Sequence, residues 1–138
     1  MAIKLKNNAV SFLTTAIVGT DVGLTITTGD GSKFPTLGVD DYFYATITDP
    51  SGNYEVVKVT AVSGSSMTIV RGQEGTIGLS FPVGSRIEQC ITAQSILDVV
   101  TQTSHNLGDY ADDAAAATAG IPVGFLYRTG SAVKIRVS

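Results

Sequence analysis

The chain has 138 residues, which is enough for one ordinary domain with a hydrophobic core. Apolar residues make up 43% of it and charged residues 15%, which excludes a disordered acidic or basic tail. The net charge of -3 and the scattered basic residues argue against a nucleic-acid partner. No stretch approaches the roughly 20 continuous apolar residues of a membrane-spanning helix, so no membrane partner is expected.

The first two thirds of the chain carry the alternation and turn signals of β-structure. Residues 1–8 are strand-like and lack the apolar block of a signal peptide, so synthesis in the cytoplasm is expected. Residues 22–27 alternate apolar with small or polar side chains, and a hairpin is predicted over 42–62. Further strands are predicted at 67–70 and 86–91. Because turn signals recur about every 8 to 12 residues, the predicted fold is mainly β, a small antiparallel sandwich or barrel over residues 1–91.

A helical connector is predicted over residues 92–119. Thr92 can cap the first helix through its hydroxyl, and apolar residues then recur at i, i+3, i+4 and i+7, namely Ala93, Ile96, Leu97 and Val100. This helix is expected to end near Ser104. A second helix is expected from Asp109 through the alanine run at 114–117.

Residues 120–138 are predicted to form a C-terminal β-hairpin arm. Phe125–Arg128 forms one strand, and Val133, Ile135 and Val137 alternate with polar residues in the other. An isolated two-stranded hairpin is only marginally stable in water. The arm is therefore expected either to add strands to an adjacent subunit or to fold back on its own domain.

The residues that catalysis or metal binding would need are scarce. The single cysteine, Cys90, excludes an intramolecular disulfide and is expected to be buried and inert; the single histidine, His105, is expected near a helix end. Residues 29–33 lack the Gly-Lys-Ser/Thr order of a phosphate loop and predict a plain turn. Asp40 and Asp41 are adjacent, so they do not form a carboxylate pair. Neither enzymatic activity nor a cofactor is expected.

Four aromatic residues close to the hairpin leave two interpretations open. Tyr42, Phe43, Tyr44 and Tyr54 could stack sugar rings, which would make the chain a carbohydrate-binding module. The favoured alternative is a cross-strand aromatic pair that stabilises the hairpin.

The hexapeptide Arg71–Thr76, followed by Phe81 and Gly84, resembles a pattern found in phage tail-fibre and related virion proteins. The flanking segments 29–35, 41–46 and 84–88 resemble the same group, so the similarity covers the chain from Met1 to about Val100. The segments 120–128 and 133–137 are similar to an ending of small phage structural proteins.

The resemblance implies a structural protein of the virion, made in the host cytoplasm. Its expected partners are copies of itself, in a homo-oligomer, and other virion proteins of the capsid, neck or tail. The chain has no repetitive shaft or receptor-binding tip, which favours an adaptor or accessory component over a complete tail fibre. A head decoration or cement protein and a carbohydrate-binding module of a phage tail are the alternatives.

Two groups of residues are candidate assembly contacts: Arg71, Gln73 and Glu74 in the loop, and Phe125, Tyr127, Arg128, Val133, Ile135 and Val137 in the arm. Gly72 and Gly75 are expected to adopt positive φ, which lets the chain turn sharply after Arg71. Arg71 can pair with Glu74 or with another neighbour. The loop therefore serves either an interface or the domain's own strands.

Overall fold

A computed structural model describes residues 2–105 and 108–138, with only the backbone described at residues 103–105. The fold is mainly β, with a curled antiparallel sheet, two helices and a C-terminal hairpin, which confirms the predicted fold class. The chain forms two compact units, residues 1–98 and 99–138. The boundary between them lies within the first helix.

The first unit contains a six-stranded sheet. Its strands are β1 (Val10–Phe12), β2 (Gly23–Thr25), β3 (Phe43–Thr48), β4 (Tyr54–Ser63), β5 (Ser66–Gln73) and β6 (Arg86–Glu88). They are arranged in the order β1-β6-β3-β4-β5-β2, and every neighbouring pair is antiparallel. The predicted β3–β4 hairpin and β5 are confirmed. The last strand ends at Glu88 and not at Ile91, and β1 was not predicted.

The sheet curls until its two edge strands meet. Leu13, just after β1, forms an antiparallel bridge with Ile26, just after β2. The backbone nitrogen of Thr14 donates to the oxygen of Thr25 at 3.0 Å, and Thr27 donates to Phe12 at 3.1 Å. Since backbone groups at a sheet edge are the usual templates for added strands, this junction shields both edges.

The inside of the curled sheet is the hydrophobic core. A 3-10 helix at Asp30–Lys33 places Phe34 inside, where its ring stacks on that of Phe43 with centroids 5.8 Å apart. This turn is held by an ion pair between Lys33 and Asp30 at 2.8 Å, which agrees with the predicted plain turn at residues 29–33. The other large buried side chains are Leu13, Ile26, Ile47, Val57, Val59, Ile69, Phe81 and Ile87.

Helix α1 spans Ala93–His105 and begins at the predicted cap. The Ser95 backbone nitrogen donates to the Thr92 hydroxyl at 3.1 Å, and the Thr92 nitrogen donates to the Ser95 hydroxyl at 2.8 Å. Two backbone donors at the start of the helix are therefore satisfied reciprocally. The expected role of His105 at the helix end lies outside the described side chains.

The second unit contains helix α2 (Asp113–Thr118) and a two-stranded sheet of β7 (Leu126–Thr129) and β8 (Ala132–Ile135). The expectation that α2 begins at Asp109 is wrong. Tyr110 donates its backbone N–H to the Arg128 oxygen at 2.8 Å, and Arg128 donates to the Gly108 oxygen at 2.9 Å. Because residues 108–110 pair with β7, the helix begins only after Asp112, whose carboxylate accepts from the Ala115 nitrogen.

Candidate functional site

The Arg71–Thr76 loop is organised by a buried ion pair between Arg71 and Glu55. Arg71 Nε lies 2.9 Å from Glu55 Oε1, and Arg71 Nη2 lies 2.6 Å from Glu55 Oε2. The side chain of Glu55 is fully buried and that of Arg71 nearly so. The sequence left open whether Arg71 pairs with Glu74 or with another neighbour, and the structure shows that its partner is Glu55. Glu74 instead accepts a hydrogen bond from the backbone nitrogen of Gln94 at 3.3 Å.

Backbone groups complete the hydrogen bonding of this pair. The Glu55 carboxylate also accepts from the nitrogens of Gly72 at 2.8 Å and Leu79 at 3.0 Å. Arg71 donates to the oxygens of Leu79 at 2.5 Å and Val18 at 2.6 Å. Burial raises the pKa of Glu55, but the hydrogen bonds that it accepts from Arg71, Leu79 and Gly72 have the larger effect and hold the pKa below its ordinary value. Glu55 is therefore ionised at neutral pH.

The loop itself is a tight turn with a close backbone contact. Gly72 and Gly75 adopt the expected positive φ, and so does Glu74. Gly78 lies so close to Gly19 that a Cβ on Gly78 would be 2.3 Å from the Gly19 oxygen. These features favour the interpretation that the loop holds the protein's own strands. Gln73 agrees with it, because its side-chain amide donates to the Arg71 oxygen at 2.9 Å.

A second polar cluster joins α1 to the outer face of β3. The Asp98 carboxylate accepts from the hydroxyls of Tyr42 at 2.6 Å and Tyr44 at 3.3 Å, and from the Gln94 amide at 2.7 Å. The Lys58 ammonium lies 4.0 Å from the centre of the Tyr42 ring. Burial raises the pKa of Asp98, but its hydrogen-bond donors reverse the shift and lower it. Burial together with Asp98 raises the pKa of Tyr44 to about 12.

The tyrosines of this cluster are not exposed to solvent. Tyr42 and Tyr44 are buried, and their rings meet edge to face at 5.7 Å. Tyr42 immediately precedes β3, and Tyr44 lies within it. Across the hairpin, Tyr44 is opposite Lys58 and Tyr54 is opposite Thr48, so the expectation of a cross-strand aromatic pair is wrong. Phe43 is buried in the core, and Tyr54 is exposed.

Helix α1 contacts the sheet through its polar side. Ser95 is 2% exposed and Asp98 binds the two tyrosines, whereas Ile96 is 54% and Leu97 58% exposed. Val100, one turn further, is also 58% exposed. The predicted amphipathic spacing is present, but the apolar side faces solvent.

The C-terminal hairpin packs on α2 through Tyr127. This residue is 1% exposed, and its hydroxyl donates to the Asp113 carboxylate. The Val137 nitrogen donates to the same carboxylate at 2.8 Å, and Thr129 donates its hydroxyl to the Tyr110 oxygen at 2.7 Å. Tyr127 is therefore part of the core of its own unit.

The opposite face of the hairpin is apolar and exposed. Leu126 pairs with Ile135, and Arg128 with Val133, so these side chains share the face that points away from Tyr127. Leu126, Val133 and Ile135 are each about half exposed. We call these three residues the hairpin face. Arg128 forms an ion pair with Asp109 at 3.5 Å.

The outer edge of β8 is unpaired within the described part of the chain. β8 pairs with β7 on one side, and residues 108–110 cover the far side of β7. Phe125 and Val137, the remaining arm candidates, are both exposed. Of the six arm candidates, the structure thus places Arg128, Val133 and Ile135 on the face opposite Tyr127, which is buried.

The remaining chemical candidates do not converge. Cys90 follows β6 instead of lying within it and is half buried; burial and Glu88 raise the pKa of its thiol. Asp41 accepts from the Gly38 nitrogen at 3.0 Å, within its own loop. Among the described residues, no three His, Cys, Asp or Glu side chains are grouped as metal ligands. No helix in residues 2–105 and 108–138 is long and apolar enough to cross a membrane.

No protein-family model matches the chain, and no curated protein matches it significantly.

Proposed function

We propose that this protein is a structural, non-enzymatic component of a bacteriophage particle. It acts as an adaptor or accessory protein and assembles through protein–protein contacts. The phage origin is supported by the resemblance of Arg71–Thr76 and its flanking segments to tail-fibre and related virion proteins. The observation that carries the assembly role is the C-terminal hairpin, which presents an apolar face beside an open strand edge.

The hairpin suits strand addition by an adjacent subunit in the particle. Alternate residues of an antiparallel edge strand direct their backbone N–H and C=O groups outward, and a strand added there satisfies them. On β8 these are Val133 and Ile135, since Arg136, the next residue, directs its N–H to Phe125 and its C=O to Gly124 on the β7 side. Their side chains would be covered by the same partner, so one contact removes both an open edge and exposed apolar surface from water.

The curled sheet offers a less suitable edge. Its two edge strands already bond to each other through Leu13, Ile26 and the neighbouring backbone groups. Assembly by strand addition therefore falls to the hairpin.

The experiment is to purify particles of the phage that encodes the chain and to measure the chain by quantitative mass spectrometry. We expect a fixed copy number per particle for the wild type. In particles made with Val133→Glu/Ile135→Glu, we expect the chain to be lost, because two charges would be buried at the contact. The matched control is Val22→Glu/Val39→Glu, which adds the same charge at exposed positions elsewhere and should be retained.

Two results would overturn the proposal: absence of the chain from wild-type particles, or incorporation of the hairpin variant at the wild-type level. Labelling the particles with antibody then separates a tail or neck adaptor from the alternative, a head decoration or cement protein. The carbohydrate-binding alternative has less support, because Tyr42 and Tyr44 are buried.

A further inference from the structure

The open edge of β8 defines what a partner strand must offer. The backbone N–H and C=O groups of Val133 and Ile135 point away from β7, whereas those of Arg136 bond on the β7 side. A strand that binds at this edge satisfies the outward groups. Each of its side chains then lies beside that of the β8 residue opposite, on the same side of the sheet. The side chains along β8 therefore determine which side chains suit the partner strand.

The two sides of β8 differ in their chemistry. Val133 and Ile135 belong to the hairpin face and are each about half exposed. Lys134 lies between them, on the other side of the strand, and is exposed. A partner strand therefore needs apolar residues opposite Val133 and Ile135, and between them a residue that suits the ammonium group of Lys134.

The charge of the arm selects a carboxylate for that middle position. Residues 120–138 contain three of the nine Lys and Arg residues and none of the twelve Asp and Glu residues, so the arm carries +3 in a chain of net charge -3. Arg128 pairs with Asp109, and Arg136 donates to two backbone oxygens. No ion pair in the described part of the chain includes Lys134. An acidic residue of the partner would be its counter-ion.

The same lysine disfavours a second copy of β8 as the partner. In an antiparallel pair of two β8 strands, the register that places Val133 of one copy opposite Ile135 of the other also places their Lys134 side chains opposite each other. Like charges in directly opposite positions destabilise a strand pair. Lysine on an edge strand is a common protection against pairing of identical edges. Lys134 therefore repels a copy of β8 and attracts an acidic strand.

Two other anionic partners would leave part of this edge unused. A membrane surface could cover the hairpin face, but it could not bond to the outward backbone groups, which are costly to leave unpaired in lipid. A nucleic-acid backbone could pair with Lys134 but would gain little from Val133 and Ile135. A polypeptide strand uses the backbone edge, the apolar side chains and the charge together.

We propose that the β8 edge binds a strand of a different protein in which apolar residues alternate with Asp or Glu. The apolar residues cover Val133 and Ile135, and a carboxylate between them pairs with Lys134. This inference rests on the proposed function and deepens it, because it names the chemistry of the strand that the neighbouring subunit in the particle contributes.

The test is the binding of short labelled peptides to the purified full-length protein, measured by fluorescence anisotropy at low salt. One peptide alternates valine with glutamate, and the other alternates valine with lysine. The glutamate peptide should bind the wild type about tenfold more tightly, and added salt should reduce the difference. Lys134→Glu should reverse the preference. The matched control is Val22→Glu/Val39→Glu, which changes the net charge by the same amount at exposed positions elsewhere and should keep the preference.

A second variant tests the backbone edge. Ile135→Pro removes an outward N–H and spares the bonds between β7 and β8, so the circular dichroism spectrum should be unchanged while the glutamate peptide no longer binds. A wild-type oligomer that Ile135→Pro dissociates would place a second copy at the edge and overturn the inference.

Four further results would also overturn it: no binding of either peptide, equal binding of both, a Lys134→Glu variant that still prefers glutamate, or binding of phosphatidylglycerol vesicles or duplex DNA in place of the peptides. Because no phage is involved, each of these failures is distinct from absence of the chain from particles.

Discussion

The negative charge of the buried Glu55 is balanced by Arg71, which lies on the neighbouring strand. The carboxylate lies on the same face of β4 as Val57 and Val59, the face that forms the core. Without the guanidinium and two backbone N–H groups, a carboxylate at this position would not remain ionised. The pair therefore links the start of β4 to the end of β5 and to the loop that follows.

Removing one member of this pair should destabilise the protein strongly. Glu55→Gln keeps the shape of the side chain but leaves Arg71 buried without its counter-ion, which costs about 3–5 kcal/mol. The free energy of unfolding, measured by urea denaturation, should fall by that amount. Adding Arg71→Met should cost less than the sum of the single changes, because the uncompensated charge is removed.

The matched control for this experiment is Arg86→Met. It removes the ion pair of Arg86 with Glu88, which is largely exposed, and should cost about 0–1 kcal/mol. If Glu55→Gln were as mild as Arg86→Met, the structural role assigned to the Glu55–Arg71 pair would be wrong.

The approach of Gly78 to Gly19 predicts that an alanine is not tolerated there. In Gly78→Ala the new Cβ would lie 2.3 Å from a backbone oxygen, so two chain segments must separate. We expect a loss of about 1–3 kcal/mol in the free energy of unfolding. Gly23→Ala is the control, since its Cβ would meet its nearest neighbour, the Met67 oxygen, at 3.6 Å. Equal stability of the two variants would contradict the prediction.

The attachment of α1 can be tested with single hydroxyl groups. Tyr42→Phe removes the shortest hydrogen bond to the Asp98 carboxylate and should lower the free energy of unfolding by about 1.5–3 kcal/mol. Tyr54→Phe removes the hydroxyl of an exposed tyrosine and should have little effect. Thermal or urea unfolding of both variants measures the difference. A harmless Tyr42→Phe would show that Asp98 does not anchor the helix.

The pH dependence of Tyr127 follows from its bond to Asp113. That hydrogen bond, together with burial and the charge of Asp113, raises the pKa of Tyr127 to about 12. The ordinary value is near 10. A raised folded pKa contributes stability that is complete below about pH 10 and is lost as the pH rises through about 12.

Titration of phenolate absorbance measures this directly. Tyr44 and Tyr127 should ionise late, and Tyr127→Phe should remove one late step. Asp113→Ala should shift one late step back toward the ordinary value, because the carboxylate that accepts from the Tyr127 hydroxyl is gone. An ordinary titration of Tyr127 would be incompatible with a protonated hydroxyl bound to Asp113.

The longest strands were the easiest to predict. β3, β4 and β5 contain 6, 10 and 8 residues, and the β3–β4 turn carries Pro50 and Gly52. β1 has only three residues, too few for a periodic signal, and its partner β6 lies at the far end of the unit. The start of α2 was misplaced because backbone pairing with β7 overrides local helix propensity at residues 108–110.

The site was only partly predictable for a similar reason. Glu55, Val57 and Val59 are alternate residues of one strand, so the alternation alone could have placed the Glu55 carboxylate in the core. Its partner could not be derived, because the β4–β5 register shifts between Val56 and Lys58. The exposure of Ile96 and Leu97 was not foreseen either, since the 3.6-residue pattern defines an apolar side of the helix without specifying what covers it.

The pairing of β1 with β6 has a consequence for synthesis. Val10 is bonded opposite Glu88, and the backbone nitrogen of Gln89 donates to the oxygen of Ala9. The first strand of the unit must therefore wait for its last strand. Such distant pairings make folding slow, so the nascent chain should remain protease-sensitive until residue 89 has emerged.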